Sequence, residues 1–151
     1  MSELTRRTVL GIAVTGSVSA LFAQFEETDD TAEKQRLFEK IRQELTVHAE
    51  VEENLFYPRL VGEEETEEIT EEAYEEHQEV KNLLSQIEAM SPSDDSWEAT
   101  VLELRDAVEH HVEEEEGEMF EKARDVLSAE EIEEIGDEIQ AEKQKKMSAA
   151  L

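Results

Sequence analysis

Along most of the chain, apolar residues recur every three or four positions, the period of a helix that turns one face to a core. Leu37, Ile41, Leu45, His48, Glu52 and Leu55 form one such stripe, and Ile69, Ala73, His77, Val80, Leu84 and Ile87 form another. A third holds Trp97, Val101, Leu104, Val108, His111, Glu115 and Met119. Ile12, Val18, Phe22 and Phe25 follow a looser helical spacing near the start, and Ile132 and Ile135 mark a last helix. The breaks fall at turn-forming residues. Asp30 or Thr31 offers an N-cap after Glu27, Pro58 and Gly62 end the next segment, Ser91 to Ser96 makes a turn, and Ser128-Ala-Glu-Glu131 is a capping box. Two Pro and five Gly in 151 residues, against heavy use of Glu, Ala, Leu, Lys and Gln, agree with an all-α chain. That length suits a single helical bundle.

The stripes contain a few polar residues, and these form a pattern. His48-x-x-x-Glu52 and His111-x-x-x-Glu115 are two copies of one arrangement, each running into a similar tail, Glu53 then Phe56-Tyr57-Pro58 against Glu116 then Met119-Phe120-Glu121. Residues four apart share a helix face, so each imidazole and carboxylate can reach one ion or two adjacent ions. If the helices pack antiparallel with their stripes inward, His48, His77 and His111 converge on one interior region with Glu52 and Glu115. Burying two carboxylates without a cation costs several kcal/mol each or forces them to take up protons. A metal resolves this more simply than a polar core. Three imidazoles and two carboxylates without sulfur suit iron, manganese or zinc better than copper(I) or calcium, in a dinuclear or a single-metal centre. His110 lies one step off its stripe and is expected to support the ligands rather than join them. Tyr57 and Trp97 are expected to be core aromatics.

With 42 Asp+Glu against 14 Lys+Arg, the formal charge of −28 repels nucleic acid and anionic membrane surfaces alike. It also favours a halophilic setting, since the Debye length falls to about 3 Å at 1 M salt and relieves self-repulsion. The absence of cysteine removes disulfides, thiolate nucleophiles and Cys-based metal sites. The acidic run Glu63 to Glu68 lacks the spaced ligands of a calcium loop and is expected to be a solvated linker.

Residues 1–23 differ from the rest, with Arg6-Arg7 before a moderately apolar run and small residues near its end. That layout suggests a twin-arginine export signal; the alternative is the first half of helix one in a cytoplasmic protein. Residues 24–143 are then the bundle and 144–151 a frayed tail.

The segments His48-Ala-Glu-Val-Glu-Glu-Asn-Leu-Phe-Tyr-Pro58, Glu75-Glu-His77-Gln-Glu-Val and His110-His-Val-Glu-Glu-Glu-Glu-Gly-Glu-Met-Phe120 together resemble the hemerythrin-like (HHE) cation-binding domain over roughly Ala20 to Lys143. The resemblance implies an up-down-up-down four-helix bundle, here with a short extra C-terminal helix, around a non-haem di-iron centre. By that likeness His48, Glu52, His77, His111 and Glu115 are the metal ligands. The family usually adds a ligand His in its first helix, and Thr15 stands near that place here. The centre is then depleted to one iron or an open position, or His110 or a glutamate substitutes, or the export-like segment has replaced the helix. The function implied is iron binding with dioxygen, nitric oxide or peroxide as a small ligand, more a binding protein than an enzyme. The alternatives are a di-iron oxidase or peroxidase and a metal-depleted bundle serving as an interaction module.

Overall fold

The computed structural model describes residues 12–149, with side chains from Val18 onward. Arg6 and Arg7 of the export-like segment lie outside the described residues, and so does the side chain of Thr15. The described residues are helical throughout, apart from short connections: α1 (Ile12–Glu27), α2 (Thr31–Val51), α3 (Glu67–Ala89), α4 (Asp95–Glu114), the short α5 (Phe120–Val126) and α6 (Ala129–Ala149). Four of these, α1 to α4, make the expected bundle. The added C-terminal helix continues through Ala149, including residues 144–149 of the expected tail.

Local chemistry sets the helix ends. The Asp30 carboxylate accepts from the Ala32 amide at 3.1 Å and caps α2. Ser128 and Glu131 make the reciprocal capping box at the start of α6, with the Ser128 amide donating to Glu131 Oε1 and the Glu131 amide to Ser128 Oγ, each at 3.1 Å. Between α2 and α3 the chain turns through Tyr57–Arg59 and Gly62, whose φ of 93° only glycine adopts without strain. The Thr66 hydroxyl ties this connection down by donating to the Leu60 carbonyl at 2.6 Å. No described helix is long and apolar enough to cross a membrane.

The buried apolar residues fall into two clusters. One joins Val18, Phe22 and Phe25 of α1 to Leu37, Phe38, Ile41 and Leu45 of α2, with Val80 to Ile87 of α3 and Trp97 to Val108 of α4. Phe25 and Phe38 both pack their rings on Trp97, so the expectation of Trp97 as a core aromatic holds. The other cluster gathers Val47, Val51, Phe56 and Leu60 with Ile69, Ala73, Met119 and Phe120, and it is closed by Ile132, Ile135 and Ile139 of α6. Along α2, α3 and α4 the chain passes from one cluster to the other across His48, His77 and His111. A polar layer is thus held between two greasy ones.

The regular helix is interrupted at two matching places in that layer. Glu52–Phe56 and Glu115–Met119 are π-helical turns, in which the amides of Tyr57 and Phe120 donate to the carbonyls of Glu52 and Glu115 five residues back. Single π turns of this kind are frequent at functional sites. The extra residue rotates everything that follows, so Tyr57 rather than Leu55 stands one turn beyond Glu52, and Leu55 of the expected stripe is only half buried.

Candidate metal centre

His48, Glu52, His77, His111 and Glu115 come together in the layer, each with one nitrogen or carboxylate oxygen within 4.8 Å of the others. All are buried, and Glu52 and Glu115 are 0% and 1% exposed. The three imidazoles surround the carboxylates. His48 Nε2 lies 2.7 Å from Glu52 Oε1, and His77 Nε2 lies 3.2 Å from the same oxygen. His77 Nε2 and His111 Nε2 approach to 3.0 Å, and His111 Nε2 also meets Glu115 Oε1. So the two i, i+4 pairs, set on different helices, point at one place.

Two of the imidazoles are held from behind. His77 Nδ1 donates to Glu53 Oε2 at 3.0 Å, and Lys81 Nζ in turn donates to Glu53 at 3.0 Å. His111 Nδ1 donates to Glu76 Oε1 at 2.8 Å. A carboxylate on Nδ1 fixes the ring and leaves Nε2 as the inward-facing donor atom, the usual support of a metal-binding histidine. His48 has no such backing: its Nδ1 is buried without a hydrogen-bond partner. His110 stays outside the layer with its side chain 65% exposed, its Nε2 3.3 Å from both Glu76 and Glu114. It therefore touches the carboxylate that holds His111, in keeping with a supporting position.

Tyr57 corrects the expectation of a plain core aromatic. Its ring packs in the second cluster, but its hydroxyl enters the layer and donates to Glu115 Oε1 at 2.7 Å, with His77 Nε2 at 3.1 Å and His111 Nε2 at 3.4 Å. Glu53, Glu76 and Tyr57 are thus members of the site that a count of stripe positions misses. The first two each neighbour a ligand candidate in sequence, Glu53 after Glu52 and Glu76 before His77, which is the signal that could have found them.

The electrostatics follow from burial and crowding. Burial, then the charge of Glu52, pushes the Glu115 carboxyl up to about 7. Burial also works against the Glu52 charge, but His48, Glu115 and His111 outweigh it and hold Glu52 well below the usual carboxylate range. His77 and His111 are raised: burial opposes their charge, and Glu52 and Glu115 respectively more than offset it. Burial, then Glu115, lifts the Tyr57 phenol well above its ordinary value. The side chains therefore keep protons that a cation would displace.

The donors fit a metal on another count. Glu52 Oε2 and Glu115 Oε2 are buried carboxylate oxygens with no hydrogen-bond partner. An unsatisfied buried acceptor costs about 1–3 kcal/mol, more when charged, and a cation held by these carboxylates would remove the cost. A small cavity lies on the α1 side of the rings, with about 20 Å³ of room for the centre of a water-sized molecule. Val18, Leu45, Ala49, Val80, Val108 and Val112 line it, and the rings of His48, His77 and His111 form its polar edge.

A helical bundle with a buried imidazole and carboxylate layer across its middle is a metal-binding architecture. The chain belongs to the hemerythrin HHE cation binding domain family, whose sequence model matches residues 17–123. Among solved structures it resembles a hemerythrin HHE cation binding domain-containing protein from Mycobacterium kansasii, with a TM-score of 0.80 and 25% identity, covering 94% of this chain and 86% of that one. Among curated proteins it is 39% identical over 131 residues to a protein of Nostoc sp. named DNA nickase. That match takes in 85% of this chain, which spans 36% of the Nostoc protein's length.

Proposed function

We propose that the protein binds non-haem iron in the layer through His48, Glu52, His77, His111 and Glu115, as one ion or two, and holds a small apolar ligand such as dioxygen or nitric oxide beside it. The observation that carries the reading is the pair of buried carboxylates, each with an oxygen left without a partner, facing three converging imidazoles. Neutral imidazole and carboxylate suit iron, with manganese and zinc as competitors. Iron bound there supplies a redox-active centre that can take a small molecule at an open position.

The residues define what such a centre experiences. Glu53 and Glu76 orient the rings of His77 and His111, and the two apolar clusters keep bulk water away. The valine-lined cavity favours dioxygen or nitric oxide over peroxide, because an apolar wall gives a polar ligand no hydrogen bonds to replace those it leaves in water.

The name of the Nostoc relative does not carry across to this chain. A formal charge of −28 opposes contact with a polyanion, and this chain matches little more than a third of that protein.

Anaerobic titration with ferrous iron, read by thermal unfolding, tests the reading. A ligand bound only by the folded state at 100 times its Kd stabilises by about 2.7 kcal/mol. We expect a rise in Tm that a chelator reverses and that the double variant His77→Ala, His111→Ala lacks. An unchanged Tm in the wild type would remove the proposal.

A further inference from the structure

Tyr57 is placed as a sixth donor rather than as a bystander. Its hydroxyl oxygen is within 3.4 Å of three atoms that are themselves donor candidates, Glu115 Oε1, His77 Nε2 and His111 Nε2. A phenol carries one proton and donates one hydrogen bond, which goes to Glu115. The remaining two contacts bring its lone pairs against imidazole nitrogens whose opposite sides are already committed to Glu53 and Glu76. Four such atoms thus converge at one point from two helices and two turns, the arrangement a coordination position needs.

The backbone supports the same conclusion. The π-helical turn at Glu52–Phe56 is what carries Tyr57 round to the Glu52 face, and a regular helix would present residue 55 or 56 there instead. The matching turn at Glu115–Met119 delivers Phe120, which has no hydroxyl. The two halves of the internal echo therefore differ at the residue that follows each π turn, Tyr57 with a hydroxyl in the layer and Phe120 in the apolar cluster.

We propose that Tyr57 is a ligand of ferric iron, binding as phenolate next to His77, His111 and Glu115. This rests on the iron reading above and sharpens it, because a phenolate is a hard anionic oxygen donor that selects iron(III) over zinc or manganese(II). On binding, the phenol O–H breaks, the proton leaves to solvent, and the oxygen pair is given to the metal. Charge then balances: Glu52, Glu115 and the Tyr57 phenolate supply three negative charges against the three positive charges of one ferric ion, as a dry site requires.

The test is to load the full chain with ferrous iron anaerobically, oxidise it in air, and record iron content, the visible spectrum and resonance Raman scattering. The chain has two tyrosines, Tyr57 and Tyr74, so assignment is direct. Wild type and Tyr74→Phe are expected to show a phenolate-to-iron charge-transfer band with tyrosinate ring vibrations. Tyr57→Phe, which keeps the ring and its packing, is expected to lose both while still holding iron, at an affinity lower on the order of tenfold. Iron-loaded wild type without tyrosinate vibrations would overturn the inference and leave the iron reading standing. Signals retained in Tyr57→Phe would overturn it too, and absence of bound iron would overturn both.

Discussion

Glu76 adjoins His77 in the chain, yet its carboxylate holds the ring of His111 on the next helix, with Oε1 2.8 Å from Nδ1. Glu53, from the π turn that follows α2, does the same for His77 at 3.0 Å. Each ring is thus clamped by a carboxylate from a neighbouring element, and the layer is linked across helices before any cation is considered. Carboxylates in this position typically contribute 10- to 100-fold to metal affinity. We expect Glu76→Gln and Glu53→Gln each to weaken iron binding by about that factor in a competition titration against a chelator, with little change in far-UV circular dichroism. Glu114→Gln, whose carboxyl meets Glu76 and exposed His110 but no inward-facing donor of the layer, should weaken binding less than either.

Affinity should rise with pH. His77 and His111 are held above their usual value, and Glu115 sits near 7, so these groups keep protons that iron must displace. Each displaced proton adds about tenfold in apparent affinity per pH unit while the group remains protonated in the unloaded protein. The stability of unloaded protein should move the other way. Raised histidines contribute fully below about pH 6.5 and lose that contribution as pH climbs toward their folded values, and raised Glu115 acts with the same sign. Depressed Glu52 contributes above about pH 4.5 and loses it in acid. Chelator-treated protein should therefore weaken between pH 7 and 9, whereas iron-loaded protein should not; Tm measured across that range checks both.

The cavity beside the rings offers a separate test of the small-ligand reading. Val80→Phe should fill it, since Val80 lines the space together with Val18 and Val108 of other helices. Overpacking of this kind costs about 1–3 kcal/mol of stability. Nitric oxide binding to the ferrous protein, followed by absorption, should weaken at least roughly tenfold, a loss of 1.4 kcal/mol, while iron content stays at the wild-type level. Unaltered nitric oxide affinity would place the ligand elsewhere.

The net charge of −28 makes a prediction about the medium. Ion pairs such as Lys34 with Glu98 and Lys146 with Glu50 neutralise few of the 42 acidic residues. Self-repulsion at low salt should thus dominate the loss of screened surface pairs. Tm is expected to rise between low salt and about 1 M salt, where the Debye length is about 3 Å. A flat response would remove the halophilic expectation.

Much of this was legible in the chain because one rule, the helical period, governs most of it. The stripes through α3 and α4 are buried residue for residue, from Ile69 to Ile87 and from Trp97 to Met119. His48, His77 and His111 stood out as polar residues in apolar places. What escaped was whatever departs from that rule. Tyr57 enters the layer through a π turn that shifts its face, and a regular period assigns that direction to Leu55. Glu53 and Glu76 are two acids among 42, set apart only by standing next to Glu52 and His77. Lys143, the last residue of the expected bundle and one that no stripe marks, is buried in α6, where desolvation lowers its basicity while Glu52 and Glu44 counter the shift.

Elemental analysis of protein loaded anaerobically with ferrous iron, then desalted, tests the central claim most directly. Wild type should retain one or two irons per chain, and the double variant Glu52→Ala, Glu115→Ala should retain none while remaining helical. Wild type that keeps no iron, or a double variant that keeps as much as wild type, would contradict a metal centre in the layer.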